Sequence, residues 1–97
     1  MYKLEYLPIF YRDVVETIIF QKRYLNQKKL AEFILELENK INSLHQMPNR
    51  FPFHHDFPKF RYLIVGKYLV FYVVKKKEKI VELRRLIDGR RNLMELL

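Results

Sequence analysis

Seven apolar or aromatic residues run without interruption from Tyr68 to Val74 (YLVFYVV) in a chain of 97. A strand with one wet face alternates polar and apolar side chains, whereas an unbroken apolar run marks a strand covered on both faces. This stretch is therefore expected to be a central strand. Before it, Val65-Gly66-Lys67-Tyr68 puts glycine at the first central position of a two-residue turn, as a type II′ hairpin prefers. After it, Lys75-Lys76-Lys77-Glu78 is all charge and belongs in solvent. Lys79–Ile87 then resumes a period-two pattern. Val81, Leu83, Arg85 and Ile87 are expected on one face, with Ile80, Glu82, Arg84 and Leu86 on the other. Asp88-Gly89 ends it, and the apolar residues after Arg61 supply a third strand ahead of the glycine turn. Residues 59–91 thus read as a three-stranded antiparallel meander.

The upstream half reads as its cover. Met1–Leu7 alternates like a short strand, and Pro8 suits the first position of a helix. From Ile9 to about Tyr24, Tyr11, Val14, Val15, Ile18 and Ile19 recur at helical spacing, with Arg12, Asp13, Glu16 and Lys22 toward the wet side. Asn26 is a suitable N-cap for a second helix. There Leu30, Ile34, Leu37, Ile41 and Leu44 form one stripe for packing on the sheet, and Glu36 and Lys40 pair on the wet side. Pro48 stops the helix. Asn49–Lys59, with Pro52, Pro58 and three phenylalanines, is a connector ordered by its rings, and the tail after Gly89 suggests a short amphipathic helix. The expected fold is α+β. An antiparallel sheet of about four strands, in the order β-α-α-β-β-β, carries an αα-hairpin on one face and a short C-terminal helix. Residues 1–97 form a single domain on this reading.

Charge is uneven. Residues 1–58 hold 8 Lys/Arg against 7 Asp/Glu, whereas residues 59–97 hold 11 against 4, so nearly all of the net +8 lies on the meander and tail. A basic face kept for solubility is one reading, and a surface for phosphates or an acidic protein segment is the other. The concentration of arginine near the end favours the second. Without cysteine there is neither a disulfide framework nor a thiolate metal site, which suits a reducing cytoplasm. No secretory signal is evident, and seven apolar residues fall far short of the roughly 20 that a membrane helix needs, so no membrane partner is expected.

Little in the chain suggests a conventional enzyme. His54-His55-Asp56 is the one metal-like cluster, but adjacent histidines in an extended loop are expected to point apart, so neither metal nor cofactor is assigned. His45 is expected to favour its helix C-terminus. A single Ser43 on a helix gives no support for serine hydrolysis. What remains is a basic set with aromatic neighbours. Arg61, Arg85 and Arg91 are the candidate catalytic cations, with Arg84, Arg90, Lys67, Tyr68 and Tyr72 as candidate contacts for a target or partner. Guanidinium groups grip phosphates and rings stack on bases, so the mixture suits nucleic acid. Tyr68 and Tyr72 read equally as half-buried sheet residues. On the partner reading, Arg61, Arg85, Arg90 and Arg91 share one positively charged sheet border.

Taken in order, Tyr6-Leu7-Pro8, Asp13, Leu44-His45-Gln46-Met47-Pro48, Arg50, Arg61–Val65, Tyr68–Tyr72 and Leu86–Asn92 resemble the RelE/ParE superfamily of toxins from bacterial type II toxin–antitoxin modules. The closing Gly89-Arg90-Arg91-Asn92 is similar to the family's usual Gly-Arg-Arg-Asp. The resemblance covers essentially the whole chain. It implies a growth-inhibiting toxin silenced by the flexible segment of a cognate acidic antitoxin. RelE-like members cut messenger RNA at the ribosome without metal, and ParE-like members trap DNA gyrase. In the RelE-like nucleases the central strand carries an arginine where this chain has Leu69, and a later tyrosine falls on Leu97. Lysines on the preceding strand fall near Phe60 and Tyr62, whereas Arg91 matches an arginine of the family's closing loop. The resemblance therefore leans to ParE-like inhibition of gyrase. The alternatives are a metal-independent endoribonuclease using Arg61, Arg85, Arg90 and Arg91 with a tyrosine or His54, and a non-toxic basic nucleic-acid-binding protein.

Overall fold

A computed structural model describes all 97 residues. The elements are β1 (Lys3–Tyr6), α1 (Pro8–Lys22), α2 (Gln27–Asn42), β2 (Arg61–Val65), β3 (Tyr68–Lys75), β4 (Ile80–Asp88) and α3 (Leu93–Leu96). The strand order in the sheet is β1-β4-β3-β2. β3 is interior, as its unbroken apolar run requires. Its Tyr68, Val70 and Tyr72 join the core with Phe10, Leu37, Ile41 and Leu44 of the helical layer. Phe71 points to the other face and is fully buried against His54, Phe60 and Tyr62. The connector thus covers the sheet face that the helices leave open. Each such buried aromatic or aliphatic side chain contributes about 1.5–3 kcal/mol.

The turns follow the local chemistry. Gly66 has φ +60, so the β2–β3 hairpin uses the conformation that glycine reaches without a Cβ clash. In the lysine turn, Lys79 adopts φ 54, a left-handed conformation that a side chain makes costly. Asn26 caps α2 by accepting from the Lys29 N–H at 2.8 Å, and Glu36 pairs with Lys40 at 2.8 Å. Leu37, Ile41 and Leu44 of the expected stripe are buried, with Leu30 and Ile34 half-buried. His45 does more than meet a helix end. Its Nδ1 lies 2.8 Å from the Tyr2 carbonyl, and its own carbonyl accepts from the Tyr2 N–H, tying the N-terminus to the end of the helical layer.

Three expectations are corrected. The sheet is mixed, because β1 runs parallel to β4, with Lys3 opposite Ile80 and Tyr6 opposite Leu83. Alternation in Met1–Leu7 specifies a strand, but its direction depends on the route the chain takes afterwards. Second, the pairing of β3 with β4 slips between Phe71 and Tyr72, and Arg84 is the unpaired extra residue of a bulge. Beyond the bulge the faces exchange, so that Leu86 rather than Ile87 shares the helical core with Val81 and Leu83. Third, α1 is rotated from its apolar pattern. Its buried residues are Phe10, Asp13, Thr17 and Gln21, while Tyr11, Val15 and Ile19 are each more than half exposed.

Leu37, 5% exposed in the core, provides a test of this packing. Leu37→Asp buries an unpaired carboxylate, and circular dichroism should show the domain unfolded at a temperature where the parent is native. Retention of the parent melting curve would contradict the packing of α2 on the sheet.

Candidate functional site

The site begins where β1 ends. β1 pairs with β4 only as far as Leu83, and the Leu7 N–H makes the last bond on that edge, to the Leu83 carbonyl at 3.2 Å. β4 continues to Asp88 with its edge unpaired by any strand. Asp13 of α1 takes over there. Its Oδ2 accepts from the Leu86 backbone N–H at 3.0 Å and from Arg85 Nε at 2.7 Å, while Oδ1 accepts from Arg85 Nη2 at 3.1 Å. Arg85 Nη1 donates to the Leu96 carbonyl at 2.6 Å, so the same guanidinium holds the C-terminal turn. A buried carboxylate is tolerable only when its lone pairs are satisfied, and here three donors satisfy them. Arg85 is thereby a structural clamp.

Beyond the clamp lies the end of the sheet that carries the glycine turn. Tyr68 stands opposite Asp88, and the Gly89 N–H donates to the Lys67 carbonyl at 2.9 Å, bringing Lys67, Asp88, Arg90 and Arg91 to one place. Between this end and α1 opens a cleft of about 270 Å³, lined among others by Asp13, Glu16, Phe20, Tyr68 and Arg91. Asp88 accepts from Arg90 Nε and Nη2 at 3.1 and 2.9 Å. Those bonds hold its carboxyl below the usual carboxylate range, with burial opposing. Burial raises the Tyr68 hydroxyl above its ordinary value, against a hydrogen bond from Gln21 that lowers it.

The carboxylates of this cleft are all committed: Asp13 to Arg85, Glu16 to Arg12 and Asp88 to Arg90. Arg91 and Lys67 make no ion pair. Of the expected border of Arg61, Arg85, Arg90 and Arg91, therefore, Arg90 and Arg91 come together, with Lys67 and Tyr68 beside them, while Arg85 is held by Asp13 and Arg61 by the connector. Arg61 stands opposite Tyr72, four positions from Tyr68 along β3, or roughly 13 Å at strand rise. It donates to the Phe51 carbonyl at 2.7 Å and stacks 4.1 Å over Phe53, fastening the connector. Arg84 pairs with Glu82 at 2.8 Å and lies over Phe60. Tyr72 is fully buried rather than half-buried, and its hydroxyl donates to the Pro48 carbonyl at 3.0 Å. Pattern reading missed Thr17 and Gln21, and it placed Asp13 on the wet side. The signal available was Asp13, Thr17 and Gln21 at spacings of four.

The histidine pair also departs from expectation. The rings of His54 and His55 stack at 5.3 Å and 6° instead of pointing apart, because His54 is buried among Phe57, Tyr62 and Phe71. His54 Nδ1 accepts the Asp56 N–H at 3.2 Å. One donor atom from each of His54, His55 and Asp56 lies within 4.8 Å of the others, and His55 Nε2 is 3.3 Å from Asp56 Oδ2.

Two measurements test this arrangement. Asp13→Ala leaves the half-buried Arg85 and the buried Leu86 N–H without their partner, and chemical denaturation should show a loss of about 2–4 kcal/mol. A loss below about 1 kcal/mol would mean that the clamp is not structural. The second concerns acid. Glu82, hydrogen-bonded by Lys75 and paired with Arg84, is shifted down like Asp88. Depressed carboxyls stabilise the fold fully above their ordinary values of 4.5 and 3.8. That contribution is lost as pH falls through and below those values. In Glu82→Gln with Asp88→Asn, stability should vary less with pH across that window than in the parent; an unchanged profile would show that other groups set the acid limb.

Comparison with known proteins agrees with this geometry. Residues 9–93 match the family model described as the ParE toxin of type II toxin–antitoxin system, parDE. A search of curated protein sequences finds no significant match. Among solved structures, the chain is similar to one from the chromosomal ParDE toxin–antitoxin system of P. aeruginosa, at TM-score 0.73 and 15% identity. That likeness covers 91% of this chain and 96% of the other. It is also similar to the isolated E. coli RelE toxin, at TM-score 0.58 and 14% identity over the whole of both chains. The likenesses establish the fold, and the family model spans most of the chain, so this protein belongs to the ParE toxin family of type II toxin–antitoxin systems.

Proposed function

We propose that this toxin arrests bacterial growth by binding DNA gyrase without hydrolysing nucleic acid, and that an acidic antitoxin silences it. Its place of action is then the cytoplasm, where gyrase meets DNA; no helix is long and apolar enough to cross a membrane. The observation that carries the reading is the disposition of the groups a nuclease would need. The central-strand position at which RelE-like nucleases carry arginine is Leu69, half-buried beside Gly89. Arg85 is engaged by Asp13 and the Leu96 carbonyl, and Tyr72 is sealed in the core. Cutting RNA without metal calls for a base at the 2′-hydroxyl and an acid at the leaving oxygen, and the exposed Arg91 has no such pair around it. A surface of unpaired cations and apolar rims suits binding better than bond cleavage.

The family model supports the same side of the choice, and the antitoxin follows from it: the P. aeruginosa structure is described as a ParDE toxin–antitoxin system. The uncompensated charge at Lys67 and Arg91 complements an acidic partner.

Expression without a partner should stop growth, with plasmid supercoiling lost, DNA damage induced and messenger RNA intact. Purified protein should inhibit gyrase-driven supercoiling, and Arg91→Ala should weaken that inhibition about tenfold or more. Messenger RNA cut at codon-defined positions would replace this reading with the nuclease one. Full potency in Arg91→Ala would show that the sheet end does not meet the target.

A further inference from the structure

Six of the 19 lysines and arginines form ion pairs, so the basic surplus lies in the others. Lys67 and Arg91 belong to that surplus, at the glycine-turn end of the sheet. A larger group gathers at the opposite end of the eight-residue β3, roughly 23 Å away at strand rise. Lys76, Lys77 and Lys79 lie in the exposed β3–β4 turn. Lys3 joins them, since its backbone N–H donates to the Lys79 carbonyl at 2.9 Å. Lys76 also lines a second cleft, of about 240 Å³, with Lys59 and Arg61, and no carboxylate lines it. Arg61 is fastened to the Phe51 carbonyl and adds its charge from there. Of the acids near Lys75, Glu82 is committed to Lys75 and Arg84, and only Glu5 and Glu78 are unpaired. Lys3, Lys59, Arg61, Lys76, Lys77 and Lys79 thus outnumber the free carboxylates at this end.

The chemistry of this group narrows the partner. All but Arg61 are lysines, compact point charges on flexible stems that follow phosphates without the fixed fork by which arginine reads a base edge. Lys3 of β1 and Arg61 of β2 lie on the outer strands of the sheet, three spacings apart, or roughly 14 Å. At about 3.4 Å per phosphate on each strand of a duplex, that width meets about four phosphates. Single-stranded nucleic acid calls instead for open rings on which bases stack. Here Phe53 carries Arg61 at 4.1 Å, Phe51 carries Arg50 at 5.1 Å and Phe60 carries Lys59 at 5.6 Å. A duplex, whose bases stay stacked on one another, fits a surface of covered rings better. We propose that the lysine-turn end of the sheet binds the phosphate backbone of duplex DNA without reading its sequence. The choice of DNA over an RNA duplex rests on the gyrase reading above, in which the target is itself on DNA. The glycine-turn end then meets protein, and the lysine-turn end meets DNA.

The experiment titrates the purified toxin, free of antitoxin and gyrase, onto short fluorescent DNA duplexes of two unrelated sequences and follows anisotropy over a range of salt. Both duplexes should bind alike, and log affinity should fall linearly with log salt at a slope of about −3.6 for about four phosphate contacts. Lys76→Gln with Lys77→Gln removes two cations from exposed turn positions and leaves Lys79, with its left-handed backbone, untouched. Affinity at low salt should fall about tenfold and the slope should flatten by about 1.8, while the thermal midpoint stays at the parent value. The double Lys→Arg variant keeps both charges and should bind as the parent does. Arg91→Ala, at the other end of the sheet, should leave the slope unaltered. A parent-like slope in the double glutamine variant would overturn the proposal, as would an equal loss in Arg91→Ala or tighter binding to duplex RNA or single-stranded DNA. Gyrase inhibition is measured on the same preparations. A parent toxin that binds duplex DNA as expected but spares gyrase removes the gyrase reading alone, and one that inhibits gyrase without binding the duplexes removes this proposal alone.

Discussion

The carboxylate of Asp13 on the unpaired edge of β4 is the contact on which the rest of this molecule depends. β1 is four residues long and β4 is nine, so half of β4 has no strand on that side. A bare backbone N–H in a buried place is expensive, and a carboxylate brought there from a helix costs as much unless it is fully paired. Arg85 and the Leu86 N–H resolve both demands at once. The bulge at Arg84 matters here, because the extra residue brings Arg85 and Leu86 to the edge together. Through its third nitrogen, Arg85 carries the constraint on to the C-terminal turn.

Turning Asp13 inward also rotates α1. The polar residues a full turn apart, Thr17 and Gln21, go in with it, and Tyr11, Val15 and Ile19 come out. A helix with apolar residues on nearly all sides ordinarily lies in a core. Here one side faces solvent and the inward side carries polar residues. Every acid around the first cleft is matched to an arginine within the chain, which leaves Lys67 and Arg91 there without carboxylate partners. Net charge alone says that a protein is basic; the pairing pattern says where a partner would feel it.

The Pro- and Phe-rich connector has a structural task that its composition suggested only in part. It lays His54 and its aromatic neighbours across the second face of the sheet, and Arg61 holds it by carbonyl contacts and by stacking on Phe53. An arginine on a strand beside aromatic rings looks like a nucleic-acid contact in sequence. Whether its guanidinium faces a phosphate or a loop carbonyl is decided by a chain segment ten residues earlier.

Local chemistry in the sequence was sufficient for the elements. The unbroken run Tyr68–Val74, Gly66 in its turn, Asn26 as a cap and the Leu37–Ile41–Leu44 stripe each express a short-range rule, and each stands where those rules put it. The ordered motifs from Tyr6 to Asn92 were enough to indicate the toxin superfamily. What they did not contain was the direction of β1, the bulge in β4 and the rotation of α1. Those depend on pairing between residues 13 and 85 or 6 and 83, which no periodicity within one element encodes. The division of the arginines follows from the same cause: side chains of one type are clamp, stack or free cation according to what the fold brings opposite them.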